Sequence, residues 1–494
     1  MHPDLIKAEQ QGLTRRIFLR NLFMTAGGVA AASWLTACGS GDGVSNNSGP
    51  GASLRTSPFR TMGPLMAPDE NGVQMPAGFS SRVVAVFGED PMASNSGFKW
   101  HSDPDGGGVF ATDDGGWIYL SNSEARDATT AFGQIPSELS ALSALASRDS
   151  LEVVGSLLRP ITGLLPLSIP LVIPFQGGVS ALRFDRDGNL VDAYPVQRNT
   201  TTNCSGGVTP WGTWINGEEI ADGYMFECSP LRNGGDPIRL DRFGRKAHEM
   251  VAVDVADRAI YHTEDLGGKE RFYRTKFSVQ DWPVGRKPDY SKGVLQVLVV
   301  EGGIEAARQG PAKIRWIDAI DDGRPQNQVY LQEATVFAGN EGVWFLNGFV
   351  YFSTKSDDNI WVIDTVGNTV ESIYDPVDGP VGSPVDPNEP EMFGVDNICM
   401  TLDGEMVVVE DGGDMRAMVL LPDGMTIPLL RLPGDPAQTE VTGPAFSPDG
   451  RRIYVANQRA LRNGQTAPFG AGGVVYEITM PFAVRVNPPL ARAL

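Results

Sequence analysis

From residue 80 onward, apolar and polar positions alternate over short runs separated by turn residues, with little helical periodicity. Asp-Gly and Asn-Gly pairs favour tight hairpin turns, and they recur at Asp114, Asp187, Asn347, Asp403, Asp423 and Asp449. Six runs begin apolar and turn polar at their C-terminal end: residues 118–124, 213–219, 260–265, 350–355, 406–411 and 453–458. The pattern predicts an all-β fold, and six such units at uneven spacing predict a six-bladed β-propeller with insertions between blades.

The polar ends of these six runs indicate how residues distant in sequence could meet. Equivalent strands of a propeller radiate around one axis, so their equivalent ends share one mouth of the central channel. Four of the six runs end on carboxylates. The pattern therefore predicts a shared acidic site, although strand ends are also polar simply because loops are polar.

The N-terminal residues are typical of an export signal. Arg15-Arg16 and the apolar run after it resemble a twin-arginine signal, and the run is too short to span a membrane. It ends in a box of lipoprotein form, so we exclude residues 1–37 from the fold and expect Cys38 to carry a lipid. Residues 38–56 are small and polar and predict a flexible tether. We therefore expect a periplasmic or cell-surface lipoprotein that meets the twin-arginine translocase during export.

Residues 57–494 suit a single propeller domain, because each blade adds its own small core. An apolar insertion at about 134–176 is expected either to pack over the propeller or to form a lid. The net charge of −20 argues against nucleic acid as a partner, and we expect a monomer. Three cysteines remain after Cys38; Cys228 and Cys399 could pair, but we expect both to be free and buried.

The stretch from Asn203 to Glu219 concentrates chemistry-bearing residues. It contains Cys204, two consecutive glycines and an adjacent pair of glutamates. A thiolate is a soft metal ligand, carboxylates are hard ones, and glycine lets the backbone approach a ligand closely. The stretch therefore predicts a metal site, with a buried structural cysteine beside a solvated glutamate pair as the alternative.

This stretch, Asn-Cys-Ser-Gly-Gly-x-Thr-Pro-Trp-Gly-Thr-Trp-x-x-x-Glu-Glu, closely resembles the signature of the PhoX-type alkaline phosphatases. Other segments within about residues 105–480 resemble the same family: residues 243–249, 263–265, 272–274, 341–344, 396–397 and 440–450. The resemblance implies a six-bladed propeller with a cluster of iron and calcium ions, in which this kind of cysteine bridges the iron pair. The implied substrates are small phosphate esters.

Oxygen-rich side chains suit both implied metals. Calcium takes six to eight oxygen ligands, and ferric iron prefers anionic oxygens and accepts a thiolate. The candidate ligands are Glu124, Cys204, Glu219, Glu249, Glu264, Glu341, Asp396, Asn397, Glu410 and Glu440, with Cys204 as the bridge and a catalytic residue. The chain has only four histidines, which disfavours a zinc site of the usual histidine-rich kind.

Two departures from the family pattern bear on activity. Many members have an arginine two or three residues before the glutamate of Glu-Gly-x-Trp, whereas residues 337–341 contain none. The first strand of the family usually ends Asn-His-Glu, whereas Ser123 stands at the histidine position here. An arginine fork binds phosphate oxygens in pairs, so Arg245 or Arg274 is expected to take this catalytic role. The resemblance implies an exported phosphatase acting on phosphate monoesters. The alternatives are a calcium-dependent propeller hydrolase of lactonase type and a non-catalytic, metal-stabilised binding propeller.

Overall fold

The computed structural model describes residues 56–92, 98–125, 177–376, 391–462, 464–465 and 472–494. The signal segment 1–37, the lipidation site Cys38 and the insertion at 134–176 lie outside these residues, as does the tether apart from Thr56. These features therefore stay predictions. Within the described residues, no helix combines the length and the apolarity needed to span a membrane.

The described residues form five antiparallel sheets. One sheet has the order β2 (Pro104–Ala111), β3 (Trp117–Ser123), β4 (Gly177–Phe184), β5 (Leu190–Thr200). The next along the chain has the order β6 (Asn203–Val208), β7 (Trp214–Glu218), β8 (Met225–Cys228), β9 (Ile238–Arg239). Another has the order β19 (Val395–Met400), β20 (Met406–Glu410), β21 (Arg416–Leu420), β22 (Thr426–Arg431).

The two remaining sheets show how the chain is joined. The largest runs through β10 (His248–Asp254), β11 (Ala259–Glu264), β12 (Tyr273–Lys276), β13 (Val294–Val300) and β14 (Ala312–Asp318), and then β18 (Thr369–Tyr374), β17 (Asn359–Asp364), β16 (Phe349–Thr354) and β15 (Asn340–Leu346). The last has the order β1 (Ser80–Val86), β25 (Val474–Thr479), β24 (Arg452–Asn457), β23 (Val441–Phe446). The first strand thus completes the C-terminal sheet.

Helical structure is scarce in the described part of the chain. The α-helix there is α1 (Ile304–Gln309), and short 3-10 segments occur at Pro58–Thr61, Asp241–Phe243, Tyr290–Lys292, Gln326–Gln328 and Lys355–Asp357. The predicted all-β, propeller-like fold is therefore confirmed. The expected six separate blades are not resolved as such, because one nine-stranded sheet stands where two four-stranded sheets were expected.

The fold contains six equivalent strand pairs, and the first strand of each pair lies at the centre of the molecule. These six first strands, the inner strands, form a closed ring. In ring order they are β2, β6, β10, β15, β19 and β23, and β23 returns to contact β2. Each pairs with the strand that follows it, and these partners are the six runs predicted from the sequence: β3, β7, β11, β16, β20 and β24. The ring therefore gathers six equivalent strand ends around one axis.

All six strand pairs share an irregularity close to the same end. In five of them the register shifts directly after the first residue of the first strand, and in the β23 pair it shifts one residue later. A β-bulge bends a strand and redirects the side chain it carries. The repeated bulge thus sets the direction of one side chain per strand pair.

Glycines let the inner strands approach one another closely. A Cβ atom on Gly206 would overlap the carbonyl oxygen of Ile215, and one on Gly207 would overlap that of Val251 on the neighbouring inner strand. The two glycines of the Cys204 stretch therefore serve strand packing around the axis, and not the approach of backbone to a ligand.

Candidate metal centre

The bulged position of the inner strands carries acidic or sulfur ligands in five of six cases. It is the second residue of each first strand: Asp105, Cys204, Glu249, Glu341, Asp396 and Thr442. All five potential ligands are buried, with exposed fractions of 7% or less. Because the inner strands form a ring, these side chains converge although they span almost 300 residues of sequence.

A second set of polar side chains follows the second strand of each pair. The residues directly after these strands are Glu124, Glu219, Asp265, Lys355, Asp411 and Gln458. Gln458 donates hydrogen bonds of 2.5 Å to Asp105 Oδ2 and Glu124 Oε2, which ties the two sets together. Two equivalent positions of one repeated strand pair therefore supply most of the site, and Glu440, directly before β23, adds a further carboxylate.

Four overlapping groups of ligand atoms result, and within each group the atoms lie within 4.8 Å of one another. The groups are Asp105–Glu124–Cys204, Cys204–Glu219–Glu249, Glu249–Glu341–Asp396 and Asp396–Asp411–Glu440. We call these nine residues the donor cluster. Consecutive groups share Cys204, Glu249 and Asp396 in turn, so the cluster is one continuous row. Cys204 lies between two groups, the position that a bridging ligand needs.

Most of the donor cluster is electrostatically unfavourable without cations. Burial raises the pKa of the Cys204 thiol well above its usual value, and the nearby carboxylates, Asp105 first among them, raise it further. Burial and like-charge repulsion also raise the pKa values of Glu249 and Glu440 well above the carboxyl range. For Asp396 burial outweighs the opposing effect of Lys355, and its pKa rises to about 7. Bound cations would offset this repulsion.

The chemistry of the donor cluster fits metal ions. Eight carboxylates and one thiol supply anionic oxygens and one sulfur, the ligand set that suits calcium together with iron. Asp105 Oδ1 is buried and makes no hydrogen bond, which is costly for a carboxylate unless a ligand satisfies it. Cys204 Sγ lies 3.2 Å from Glu249 Oε2, so the sulfur faces the carboxylates and not an apolar wall.

Seven of the predicted ligands fall within the donor cluster: Glu124, Cys204, Glu219, Glu249, Glu341, Asp396 and Glu440. Asp105 and Asp411 belong to it too, and sequence reasoning missed them. Asp411 is adjacent to a residue that was chosen, so the strand period of two could have found it. Asp105 stands before three glycines and offered no comparable signal.

Glu264 and Glu410 lie outside the groups, contrary to the sequence prediction. Each is the last residue of its strand, and its side chain faces away from the cluster, because side chains alternate along a strand. Glu410 binds the Arg416 guanidinium at 2.7 and 3.0 Å, and Glu264 Oε2 accepts the backbone N–H of Arg271. Burial raises the pKa of Glu264 to about 7.

Two asparagine side chains form hydrogen bonds that hold residues of the donor cluster in position. Asn397 Nδ2 donates to Asp396 Oδ1 at 2.7 Å, and its Oδ1 accepts the backbone N–H of Gly443. Asn397 was predicted as a ligand, but in the structure its side chain links Asp396 to the neighbouring inner strand. Asn122 acts similarly, since its amide donates to the carbonyl oxygens of Cys204 and Ser205.

The arginines expected to bind phosphate are engaged elsewhere. Arg245 pairs with Asp222 at 2.9 Å and donates to the carbonyl oxygen of Gly323. Arg274 pairs with Asp257 at 3.1 Å, and its guanidinium lies over the Trp316 ring. Neither has a contact with the donor cluster among the described residues.

Two other cationic side chains reach the donor cluster, and neither was predicted. Lys355 Nζ lies 2.6 Å from Glu341 Oε1 and 3.1 Å from Asp411 Oδ2. Arg459 Nη2 lies 3.1 Å from Glu440 Oε1 and 3.5 Å from Glu124 Oε2. Both side chains are about one-third exposed, which places them between the buried carboxylates and solvent.

The other two cysteines in the described part of the chain lie outside the donor cluster. Cys228 and Cys399 are free and buried, as expected, and so is Cys204. The rest of the Cys204 stretch is structural: Thr209 and Thr213 share a hydrogen bond of 2.8 Å in the turn after β6, and Thr213 Oγ1 donates to Glu227. Only the two ends of the stretch supply ligands.

A family model described as alkaline phosphatase PhoX matches residues 178–343. No curated protein matches the chain significantly. Among solved structures, Pseudomonas fluorescens PhoX in complex with vanadate, a transition state analogue, is 15% identical with a TM-score of 0.61; the match covers 87% of this chain and 99% of that one.

More distant structures are also similar. A luciferin-regenerating enzyme is 9% identical with a TM-score of 0.39, over 79% of this chain and 96% of that one. A gluconolactonase from Xanthomonas campestris is 11% identical with a TM-score of 0.40, over 85% of this chain and 98% of that one. The family model over residues 178–343 and the fold shared with PhoX confirm the resemblance found in the sequence.

Proposed function

We propose that the protein is a metal-dependent phosphatase that hydrolyses phosphate monoesters with iron and calcium ions held by the donor cluster. The proposal rests on the position of Cys204 in the donor cluster. Cys204 belongs to two adjacent groups of ligands, as a thiolate that bridges two ions would, and it lies in a row of eight converging carboxylates. The relationship to PhoX phosphatases supports the same activity.

The side chains have distinct parts in this proposal. Asp105, Glu124, Glu219 and Glu249 would hold ions on either side of Cys204. Bound metal ions orient phosphoryl oxygens, offset their charge and activate the attacking water. The protein contributes a fixed, buried arrangement of ligands, and Asn122 holds the Cys204 backbone in place.

Arg459 is the candidate phosphate-binding residue in this chain. Its guanidinium lies at the edge of the cluster beside Glu440 and remains partly exposed. Many relatives carry an arginine two or three residues before Glu341, that is, at Ala338 or Gly339, and Gly339 has a φ of 65°. A Cβ there would crowd the backbone nitrogen of Ser356 at 2.8 Å, so an arginine would be strained at that position. We therefore assign the phosphate-binding role to Arg459, which belongs to another strand pair.

Hydrolysis of an aryl phosphate by the metal-loaded protein tests this function. We expect turnover that stops on chelation and returns with iron and calcium. Arg459→Ala should lower kcat/KM by about 100- to 1,000-fold, the usual effect of removing a preorganised donor to the transition state. Arg459→Lys should recover part of the loss.

The matched controls are Arg245→Ala and Arg274→Ala, which remove arginines that do not touch the cluster and should change kcat/KM little. A fully metallated protein that cleaves a lactone but not an aryl phosphate would replace the phosphatase with a lactonase-type hydrolase. One that cleaves neither would leave a metal-stabilised binding propeller.

We also propose that the molecule has six blades. In the nine-stranded sheet, β14 pairs with β13 over five residue pairs but with β18 over only two. We therefore assign β10–β13 and β15–β18 to separate blades that β14 joins at the rim. The six inner strand pairs support this count, and an experimental structure that resolves the β14–β18 contact would test it.

A further inference from the structure

Lys355 breaks the pattern of the position that follows each second strand. The other five residues at this position are Glu124, Glu219, Asp265, Asp411 and Gln458, which are carboxylates or an uncharged amide. A lysine here places a permanent positive charge in a ring of ligand positions. Its backbone begins the 3-10 segment Lys355–Asp357, which directs the side chain from the end of β16.

The ammonium group is surrounded by carboxylates in the manner of a bound ion. Its Nζ lies 2.6 Å from Glu341 Oε1, 3.1 Å from Asp411 Oδ2 and 3.7 Å from Asp265 Oδ2. These three carboxylates come from three different strand pairs. Glu341 and Asp411 lie close enough to offset the charge of the ammonium directly, and Asp265, beyond hydrogen-bond distance, adds a longer-range attraction.

These contacts distinguish Lys355 from an ordinary surface ion pair. The side chain of Glu341 is 2% exposed, and such a carboxylate must be paired or metal-bound. Glu341 belongs to the third group of the donor cluster and Asp411 to the fourth, so Lys355 sits where an ion between those groups would sit.

We propose that the Lys355 ammonium is a built-in cation that takes the place of one metal ion in this part of the donor cluster. The protein then binds one ion fewer than a chain with a neutral or acidic residue at this position. The inference rests on the proposed metal centre, but it does not depend on phosphatase activity.

Metal analysis of Lys355→Met tests the inference, because methionine keeps the length of the side chain and removes the charge. We expect the folded variant to hold one more divalent ion per chain than the wild type when both are saturated with calcium. Lys355→Arg keeps the charge and should not gain an ion. Lys276→Met is the matched control, since Lys276 is equally exposed and is paired with Asp257, outside the cluster.

Unchanged metal content in Lys355→Met, or loss of ions, would overturn the inference. Wild-type protein without metal would instead refute the proposed metal centre itself, so the two failures are distinguishable. A second measurement uses the wild type alone, in case the variant does not fold. Acetylation of Lys355, followed by peptide mass spectrometry, should stay slow with and without metal relative to the exposed Lys313. Faster acetylation on metal loading would mean that an ion displaces the ammonium.

Discussion

Consecutive carboxylates at the strand ends face opposite sides and have different tasks. Glu218 is fully buried, and its two oxygens accept the backbone N–H groups of Thr201 and Tyr224, whereas Glu219 faces Cys204 and Glu249. The same alternation separates Glu410 from Asp411. Sequence reasoning found the right strand ends and the right residue type. Because neighbouring side chains point to opposite faces of a strand, a choice that was wrong by one residue selected Glu410 in place of Asp411.

Glu218→Gln and Glu219→Gln are a matched pair that tests this alternation. Glu219→Gln should lower the metal content and leave the metal-free fold close to wild-type stability. Glu218→Gln should keep the metal but destabilise the protein by about 1–3 kcal/mol, because an amide NH₂ would face a backbone N–H. Elemental analysis and chemical denaturation of the metal-free proteins measure both effects. The opposite assignment of effects would contradict the alternation.

The repeated strand pair explains which strands and which ligands could be predicted from the sequence. The second strands were predictable because their apolar runs end in polar residues beside turn dipeptides. The inner strands carry glycines and single ligands without a regular hydrophobic pattern, so Asp105 gave no signal. The contributions of Lys355 and Arg459 could not be read from sequence either, because they depend on which strand ends become neighbours in the ring.

The nine-stranded sheet shows a second limit of the sequence. Local patterns predict strands and hairpins, yet the pairing of β14 with both β13 and β18 depends on tertiary contacts at the rim. The inner strand pairs, which carry the cluster, are unaffected by this fusion. The site was therefore more predictable than the sheet boundaries.

For the whole molecule, the buried carboxylates predict how stability depends on pH. The folded state raises the pKa of Asp396 from 3.8 to about 7, and burial raises those of Glu249 and Glu440. Between their unfolded and folded pKa values these carboxylates bind more protons in the metal-free folded state than in the unfolded state, so their contribution to stability falls as the pH rises. Burial lowers the pKa values of His248, His262 and Lys246, which contribute with the opposite sign, but the carboxylates with raised pKa values are more numerous.

Calorimetry of the chelated protein measures this dependence. We expect a higher Tm at about pH 6 than at about pH 8 without metal, and the reverse with metal, because protons compete with metal ions for the carboxylates. Chelated protein that is equally stable at both values, or more stable at the higher one, would show that the cluster carboxylates are not strained by repulsion.

The metal content of Cys204→Ser protein folded in vivo tests the bridging role of Cys204 most directly, with Cys228→Ser as the control for loss of a buried thiol. Wild type and Cys228→Ser should contain iron and calcium. Cys204→Ser should fold but lose its iron, together with any visible absorption from the iron–thiolate bond. A Cys204→Ser protein that keeps its full complement of metal would contradict the bridging role on which the proposed function rests.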